Sequence, residues 1–194
     1  MGETDRKTGQ ENFHQDGHQL EHRVLDFWRW SSSELMGNTL RGVLAEYLVA
    51  LDLGVADGLR TEWDSYDLKA AMGTTVEVKS GAYVQSWHQD RPSKISFGIA
   101  PTVGWDAGTG KYDTGRKRQA QVYVFAVLGE KHQTKVDPLD VSQWRFHVLA
   151  TRVLNDRLGE QKTLTLGSLM KLEPEIVAHG EISVAVQRAS RTGS

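Results

Sequence analysis

The hydrophobic pattern of the chain changes its period at Gly54, and this change constrains the fold more than any other feature of the sequence. Before it, apolar residues recur at the spacing of an amphipathic helix: Leu40, Val43, Leu44, Tyr47, Leu48 and Leu51. After it, apolar and polar residues alternate, which is typical of half-buried strands. Because glycine readily ends a helix, the order predicts a helix followed by a sheet, and therefore a mixed α/β domain.

The remaining pattern extends this prediction along the chain. An earlier helix is predicted from about Leu20 to Leu35, and residues 37–39 break the chain and cap the second helix. A short helix is predicted after Thr151, and residues 101–119 are expected to form a glycine-rich loop. The predicted strands are Trp63–Leu68, Thr74–Ser80, Ile95–Ala100, Gln121–Leu128, Trp144–Leu149 and Ile182–Val186.

Length and composition narrow the class of protein. The 194 residues suit one domain, and we assign residues 1–17 to a flexible leader and residues 18–194 to that domain. No apolar run approaches the roughly 18 residues of a membrane span, and the N-terminus lacks the apolar segment of a signal peptide. The absence of cysteine excludes disulfides and thiolate metal sites. We therefore expect a cytoplasmic protein. Its net charge of −2 argues against coating nucleic acid by bulk charge, although a local basic strip remains compatible.

One predicted strand carries a candidate catalytic pair. In the run 76–79, Glu77 and Lys79 share one face of the strand and two valines occupy the other. A carboxylate beside an ammonium group can hold a divalent cation and stabilise charge that develops on a phosphate. Asp67 ends the preceding strand, so a hairpin would let Asp67 and Glu77 share one metal ion. The pattern acid, any residue, lysine occurs four times, but only this copy lies in the middle of a predicted strand.

A glutamate on the second helix adds to this pair. Glu46 borders the apolar stripe and has no basic residue one turn away on either side, where its neighbours are Gly42, Val43, Val49 and Ala50. We therefore expect its carboxylate to point toward the sheet and a metal or cation there. The alternatives are a glutamate at the edge of the stripe, or one paired with Arg41 or Arg60.

A helix glutamate, a strand aspartate and a strand Glu-x-Lys together resemble the pattern of the PD-(D/E)xK nuclease superfamily. The resemblance rests on Glu46, Asp67 and Glu77-Val78-Lys79. It covers about residues 38–101 by motif, and the later elements only by their order. It implies the restriction-endonuclease-like fold, in which a central mixed β-sheet is flanked by helices around an α-β-β-β-α-β core.

The same resemblance implies roles for these residues. Asp67, Glu77 and Glu46 would bind Mg²⁺, for which Mn²⁺ can substitute, and Lys79 would position or activate the attacking water. A homodimer that cuts both strands is expected from the resemblance alone. Serine and tyrosine precede Asp67 where the proline of the family name would stand. Asp64 stays open as an alternative ligand, although it would lie on the opposite face of the strand.

Residues beyond the motif are candidate contacts to nucleic acid. Gln85 follows the strand and is a candidate contact to a phosphate or to the water at the metal. The glycine-rich loop combines an excess of positive charge with Trp105 and Tyr112, a pattern that suits a sugar-phosphate backbone. An ordinary solvated loop is the alternative. The basic residues assigned to this contact are Arg91, Lys94, Lys111, Arg116, Lys117 and Arg118.

The sequence thus predicts a Mg²⁺-dependent deoxyribonuclease, an endonuclease rather than an exonuclease, that acts in restriction, defence or repair. The alternative is a catalytically silent nuclease-like module that binds nucleic acid or a protein partner. A third is an unrelated α/β domain whose motif is coincidental. The complete set of two acids and a lysine favours the nuclease. The form of the DNA substrate stays open.

Overall fold

The computed structural model describes residues 5–60, 64–106 and 110–191 and consists of sixteen helices and strands within them. In chain order these are β1 (Asn12–Gln15), β2 (His18–Arg23), α1 (Val24–Ser32), α2 (Asn38–Leu53), β3 (Leu68–Lys69), β4 (Thr75–Ala82), β5 (Ser96–Gly98), β6 (Thr102–Asp106), β7 (Lys111–Lys117), β8 (Val122–Leu128), β9 (Trp144–Ala150), α3 (Thr151–Leu158), β10 (Thr163–Thr165), α4 (Leu166–Met170), β11 (Glu175–Val177) and α5 (Ile182–Arg191).

A five-stranded mixed sheet forms the centre of the fold, in the order β11-β9-β8-β4-β3. Strands β4 and β8 are parallel, and every other neighbouring pair in the sheet is antiparallel. The parallel pair requires a long crossover, and residues 83–121 supply it. The predicted mixed α/β class is confirmed.

Two apolar layers cover this sheet. Helices α2 and α5 pack on one face, against Val76 and Val78 of β4 and the alternate residues of β8 and β9. On the other face, β5, β10, α3 and α4 pack against Tyr123, Phe125 and Val127 of β8. Because β8 is covered on both faces, all of its residues are buried, as is typical of a parallel strand at the centre of a sheet.

Helix α2 confirms the clearest prediction from the sequence. It ends at Gly54, whose φ of 68° is the left-handed conformation that glycine adopts without strain. The N-terminal cap is Gly37, and it supplies no side-chain hydrogen bond to the helix. Tyr47 and Leu51, which we placed in the apolar stripe, are exposed, whereas Arg41 is buried. The buried face of the helix is therefore rotated from the face that the sequence indicated.

The segment Ile182–Val186 is not a strand, and that prediction was wrong. It is the first half of α5. Apolar residues at 182, 184 and 186 suggest the period of a strand, but Ile182, Ala185 and Val186 are the buried ones and Val184 is 51% exposed. This spacing is helical. Packing against β9 and α2 decided between the two periods.

Three other predictions need correction. Residues 101–119 contain the β6–β7 hairpin in place of a loop. The strand predicted at Trp63–Leu68 is reduced to β3, and Trp63 lies outside the described residues. The strand at Ile95–Ala100 is present as β5, but it pairs with β10 and does not join the central sheet.

The N-terminal region also differs from its prediction. Strands β1 and β2 form an antiparallel hairpin, so that the predicted first helix begins only at Val24. Part of the segment assigned to a leader is thus strand β1. None of the helices within the described residues has the length and apolar character needed to cross a membrane.

Candidate functional site

Strand β4 carries Glu77 and Lys79 on the face opposite its two buried valines. The Lys79 Nζ donates to Glu77 Oε1 at 2.5 Å. The Glu77 side chain is only 18% exposed and the Lys79 side chain 31%. In the parallel register Glu77 lies beside Tyr123 and Lys79 beside Phe125. An acid and an ammonium group therefore stand together at a largely covered position of the sheet.

Asp67 lies directly before β3 and is fixed against β4. Its Oδ2 accepts the Val78 N–H at 2.7 Å, and its own N–H donates to Val76 O at 3.2 Å. Burial raises the pKa of Asp67 to about 6, and repulsion by Glu77 and Glu46 adds to this, while the Val78 hydrogen bond opposes it. The structure thus brings Asp67 close to Glu77 through antiparallel β3 and β4, as the sequence analysis expected.

Glu46 forms an ion pair with Arg60, which is one of the alternatives that the sequence left open. The Arg60 Nε donates to Glu46 Oε2 at 2.5 Å, and the Arg60 Nη2 donates to Oε1 at 3.2 Å. Because α2 packs on the valine face of β4, Glu46 and Glu77 approach Asp67 from different faces of the sheet. In the described part of the chain no three His, Asp or Glu side chains are grouped closely enough to hold a metal ion.

Two openings meet at Asp67. A cleft of about 690 Å³ has Asp67 and Glu77 on one side and the β6–β7 hairpin on the other. A groove of about 360 Å³ contains Asp67 together with Glu46. Asp64, the alternative ligand, lines both openings and is exposed. Tyr66 lines both as well.

The carboxylates suit a hard divalent cation. Asp67, Glu77 and Glu46 offer oxygen donors, which Mg²⁺ prefers, and Asp64 could add another. Glu77 and Glu46 both raise the pKa of Asp67. A cation among these groups would remove that repulsion. The oxygen donors therefore suit Mg²⁺ by type, although these residues are not grouped as a three-ligand site in the described part of the chain and Glu46 would first have to separate from Arg60.

The β6–β7 hairpin forms an aromatic wall of the larger cleft. Trp105 and Tyr112 are cross-strand partners with ring centroids 4.7 Å apart, and Tyr112 is 70% exposed. Strands β6 and β7 pair only with each other. Of the basic residues predicted here, Arg116 is exposed and donates to Pro101 O, Lys117 is exposed, and the Lys111 side chain lies outside the described part.

The other predicted contacts divide into exposed and buried groups. Arg91 and Lys94 are exposed on the segment that follows β4. Arg118 is buried and donates to Ile99 O, Asn155 Oδ1 and Gln161 O. These hydrogen bonds join separate segments of the chain, so the role of Arg118 is structural.

Gln85 is also buried. It donates to Ala82 O and accepts from Arg41. Because Gln85 and Arg118 are buried and hydrogen-bonded within the chain, neither is proposed as a direct contact to nucleic acid.

The sequence analysis treated Arg41 only as a partner of Glu46, and it did not single out Ser80. Arg41 is buried and bonds to Gln85, and Ser80 Oγ is buried without a hydrogen-bond partner. One signal was available for Arg41. It lies four residues before Ala45 and seven before Leu48, so it shares their buried helical face.

Comparison of the chain with protein-family models, with curated proteins and with solved structures finds no match.

Proposed function

We propose that the protein is a metal-dependent nuclease that hydrolyses phosphodiester bonds of DNA, with a site and a sheet core of the PD-(D/E)xK kind. One observation carries the proposal. The carboxylates of Asp67 and Glu77 line one cleft, and Lys79 is hydrogen-bonded to Glu77 at the same strand. Neighbouring carboxylates repel each other, which lowers the stability of the protein. This cost is accounted for if the carboxylates bind a cation and the lysine faces an anionic substrate.

Asp67 and Glu77 would hold Mg²⁺, and Glu46 would join them after releasing Arg60. When bound, the ion supplies charge neutralisation at the phosphate and lowers the pKa of water. The Val78 N–H fixes the orientation of the Asp67 carboxylate, so one ligand is already positioned.

Lys79 and the hairpin have separate tasks in this proposal. The Lys79 ammonium group would orient the attacking water and offset negative charge on the scissile phosphate. Trp105 and Tyr112 would stack against a base at the mouth of the cleft. The exposed Arg91, Lys94 and Arg116, together with Lys117 and Lys111, would contact the backbone phosphates.

A second candidate is a module that binds nucleic acid without cutting it. Two of the acids that would bind the metal are ion-paired, Glu77 with Lys79 and Glu46 with Arg60. A protein that only binds DNA could keep these pairs as structural contacts. This candidate retains the exposed basic and aromatic residues but predicts no cleavage.

The deciding experiment measures cleavage of supercoiled, linear and single-stranded DNA with Mg²⁺, with Mn²⁺ and with EDTA. The variants Glu77→Gln and Lys79→Met are each compared with the control variant Glu175→Gln. This control breaks a different ion pair, between Glu175 of β11 and Arg188 of α5. We expect metal-dependent cutting that falls by at least about a hundredfold in the first two variants, as on loss of a key electrostatic group. Glu175→Gln should cut at the wild-type rate.

Circular dichroism must show that the variants are folded. If the wild type binds DNA but cuts no substrate with either metal, the binding module replaces the nuclease. Equal cutting by the wild type and Glu77→Gln would show that the hydrolytic site lies elsewhere.

A further inference from the structure

Arg41 is a buried cation without an anionic partner. It is 4% exposed in the first turn of α2. Its Nη1 donates to Met36 O at 3.0 Å and to Gln85 Oε1 at 3.2 Å, and its Nη2 donates to Asn38 Oδ1 at 2.6 Å. All three acceptors are neutral, and Nε is buried with no partner. No Asp or Glu among the described residues pairs with this guanidinium group.

Arg118 shows what a structural arginine looks like in the same protein. It is also buried, and each of its three nitrogens donates a hydrogen bond to the chain. Burying a charge is costly unless it is paired and fully hydrogen-bonded. Arg118 meets the hydrogen-bonding requirement, and Arg41 does not. Desolvation lowers the pKa of Arg41, because burial disfavours its charged form.

Arg41 lines an opening of about 330 Å³ at the carboxyl end of β4. Ser80, which lines the same opening, has a buried Oγ that also lacks a hydrogen-bond partner. Lys94 lines it as well and is exposed, and none of the described residues that line it is acidic. Two residues with an unpaired donor, Arg41 and Ser80, and two cations, Arg41 and Lys94, therefore line one opening, and this composition favours an anion.

The chemistry of this anion follows from the donors. Arg41 has five N–H groups, of which three are used, and the N–H on Nε and one on Nη2 remain. These two nitrogens form one edge of the guanidinium group, the arrangement that binds two oxygens of a phosphate. Ser80 is three residues after Glu77, so it lies about 10 Å along the strand from Glu77 and on the opposite face of β4.

We propose that Arg41, Ser80 and Lys94 form a phosphate-binding subsite that holds a phosphate group of a nucleic-acid strand at a position other than the one that is hydrolysed. The identity of the ligand rests on the proposed nuclease function, whereas the affinity for phosphate does not. The phosphate can be an internal phosphodiester or a terminal 5′-phosphate, because both present the same oxygens.

The test measures binding without metal, in EDTA, so that it does not depend on cleavage. Fluorescence anisotropy gives the Kd for short labelled single strands with a 5′-phosphate and with a 5′-hydroxyl, at several salt concentrations. The variants are Arg41→Met, Ser80→Ala and Arg145→Gln. Arg145 is an exposed arginine on β9 that donates to backbone oxygens, which makes it a control for charge.

We expect Arg41→Met to weaken binding by about tenfold or more, and Ser80→Ala by about threefold to tenfold. Arg41→Met should also reduce the slope of log affinity against log salt by about 0.7, the value for one lost phosphate contact on a single strand. Arg145→Gln should bind like the wild type. A loss confined to the 5′-phosphorylated strand assigns a terminal phosphate, and an equal loss for both strands assigns an internal phosphodiester.

Unchanged Kd values and salt slopes in Arg41→Met and Ser80→Ala would overturn the subsite, even if the wild type cleaves DNA. Conversely, an Arg41-dependent Kd in a protein that cleaves nothing would keep the subsite and reject the nuclease. If Arg41→Met does not fold, Ser80→Ala decides, together with inorganic phosphate. Phosphate should raise the wild-type Tm above that in chloride of equal ionic strength, and less so in Ser80→Ala. An equal rise in both, or no rise in the wild type, would overturn the proposal.

Discussion

Strands β4 and β8 are parallel neighbours of similar length, yet one is apolar throughout and the other is not. They pair from Val76 beside Val122 to Ala82 beside Leu128. Every residue of β8 is buried, whereas Glu77, Lys79 and Ser80 of β4 are only partly so. The outer neighbour of β4 is the two-residue strand β3, so part of the outer side of β4 borders a cleft and not another strand. A strand next to the edge can therefore present charged groups that a central strand cannot.

The largest expected effect is a loss of stability at a residue of β8, whereas its neighbour on β4 should affect mainly cleavage. Phe125 of β8 is fully buried against Phe97 and Tyr123, and it lies beside Lys79 of β4. Phe125→Ala should lower the free energy of unfolding by about 3–5 kcal/mol, the range for loss of a buried aromatic side chain. Lys79→Met should lower it far less than this, while reducing cleavage by at least about a hundredfold.

Urea denaturation followed by fluorescence provides both values, with cleavage assayed on the folded fraction. A large loss of stability in Lys79→Met would mean that β4 is a structural strand like β8. The comparison between the two strands would then fail.

A smaller effect concerns the charge of Asp67 at the open edge of β4. Its pKa is about 6 in the metal-free protein, against an ordinary value of 3.8. Between these values the folded state binds more protons than the unfolded state, so stability falls as pH rises from about 4 to about 6. Asp67→Asn removes this loss and can keep the bond from the Val78 N–H. It should be more stable than the wild type by about 3 kcal/mol near pH 7.5.

Denaturation curves collected in EDTA across this pH range test the prediction. Addition of Mg²⁺ should stabilise the wild type above about pH 6 and leave Asp67→Asn unchanged. Parallel pH profiles for the two proteins would show that burial does not penalise the Asp67 carboxylate.

The smallest expected effect lies on the hairpin that faces β4 across the cleft. Tyr112→Ala should weaken binding of single-stranded DNA by about 1–2 kcal/mol, because one stacking surface is lost. Trp30→Ala removes an aromatic side chain that is even more exposed, at 85%, and does not line the cleft. It should bind like the wild type. Equal losses in the two variants would point to nonspecific contacts of exposed aromatic residues.

Prediction from the sequence succeeded where local pattern and burial agree. Helix α2 and strands β4, β8 and β9 each have a continuous apolar period, and each packs along its whole length. Prediction failed where the pattern was short. The five residues from Ile182 fit a strand as well as a helix, and the hairpin at residues 102–117 has few buried residues to mark its period.

The candidate site divides in a similar way. Alternation in β4 determined that Glu77 and Lys79 share a face, and the turn before β4 determined that Asp67 lies near them. Only the tertiary structure decided that Glu46 pairs with Arg60, because that bond joins residues fourteen positions apart through a loop. It also decided that Arg41 and Ser80 line one opening, each with a buried donor that lacks a partner in the chain. Periodicity determines which face of an element a side chain occupies, but partners across elements depend on how those elements pack.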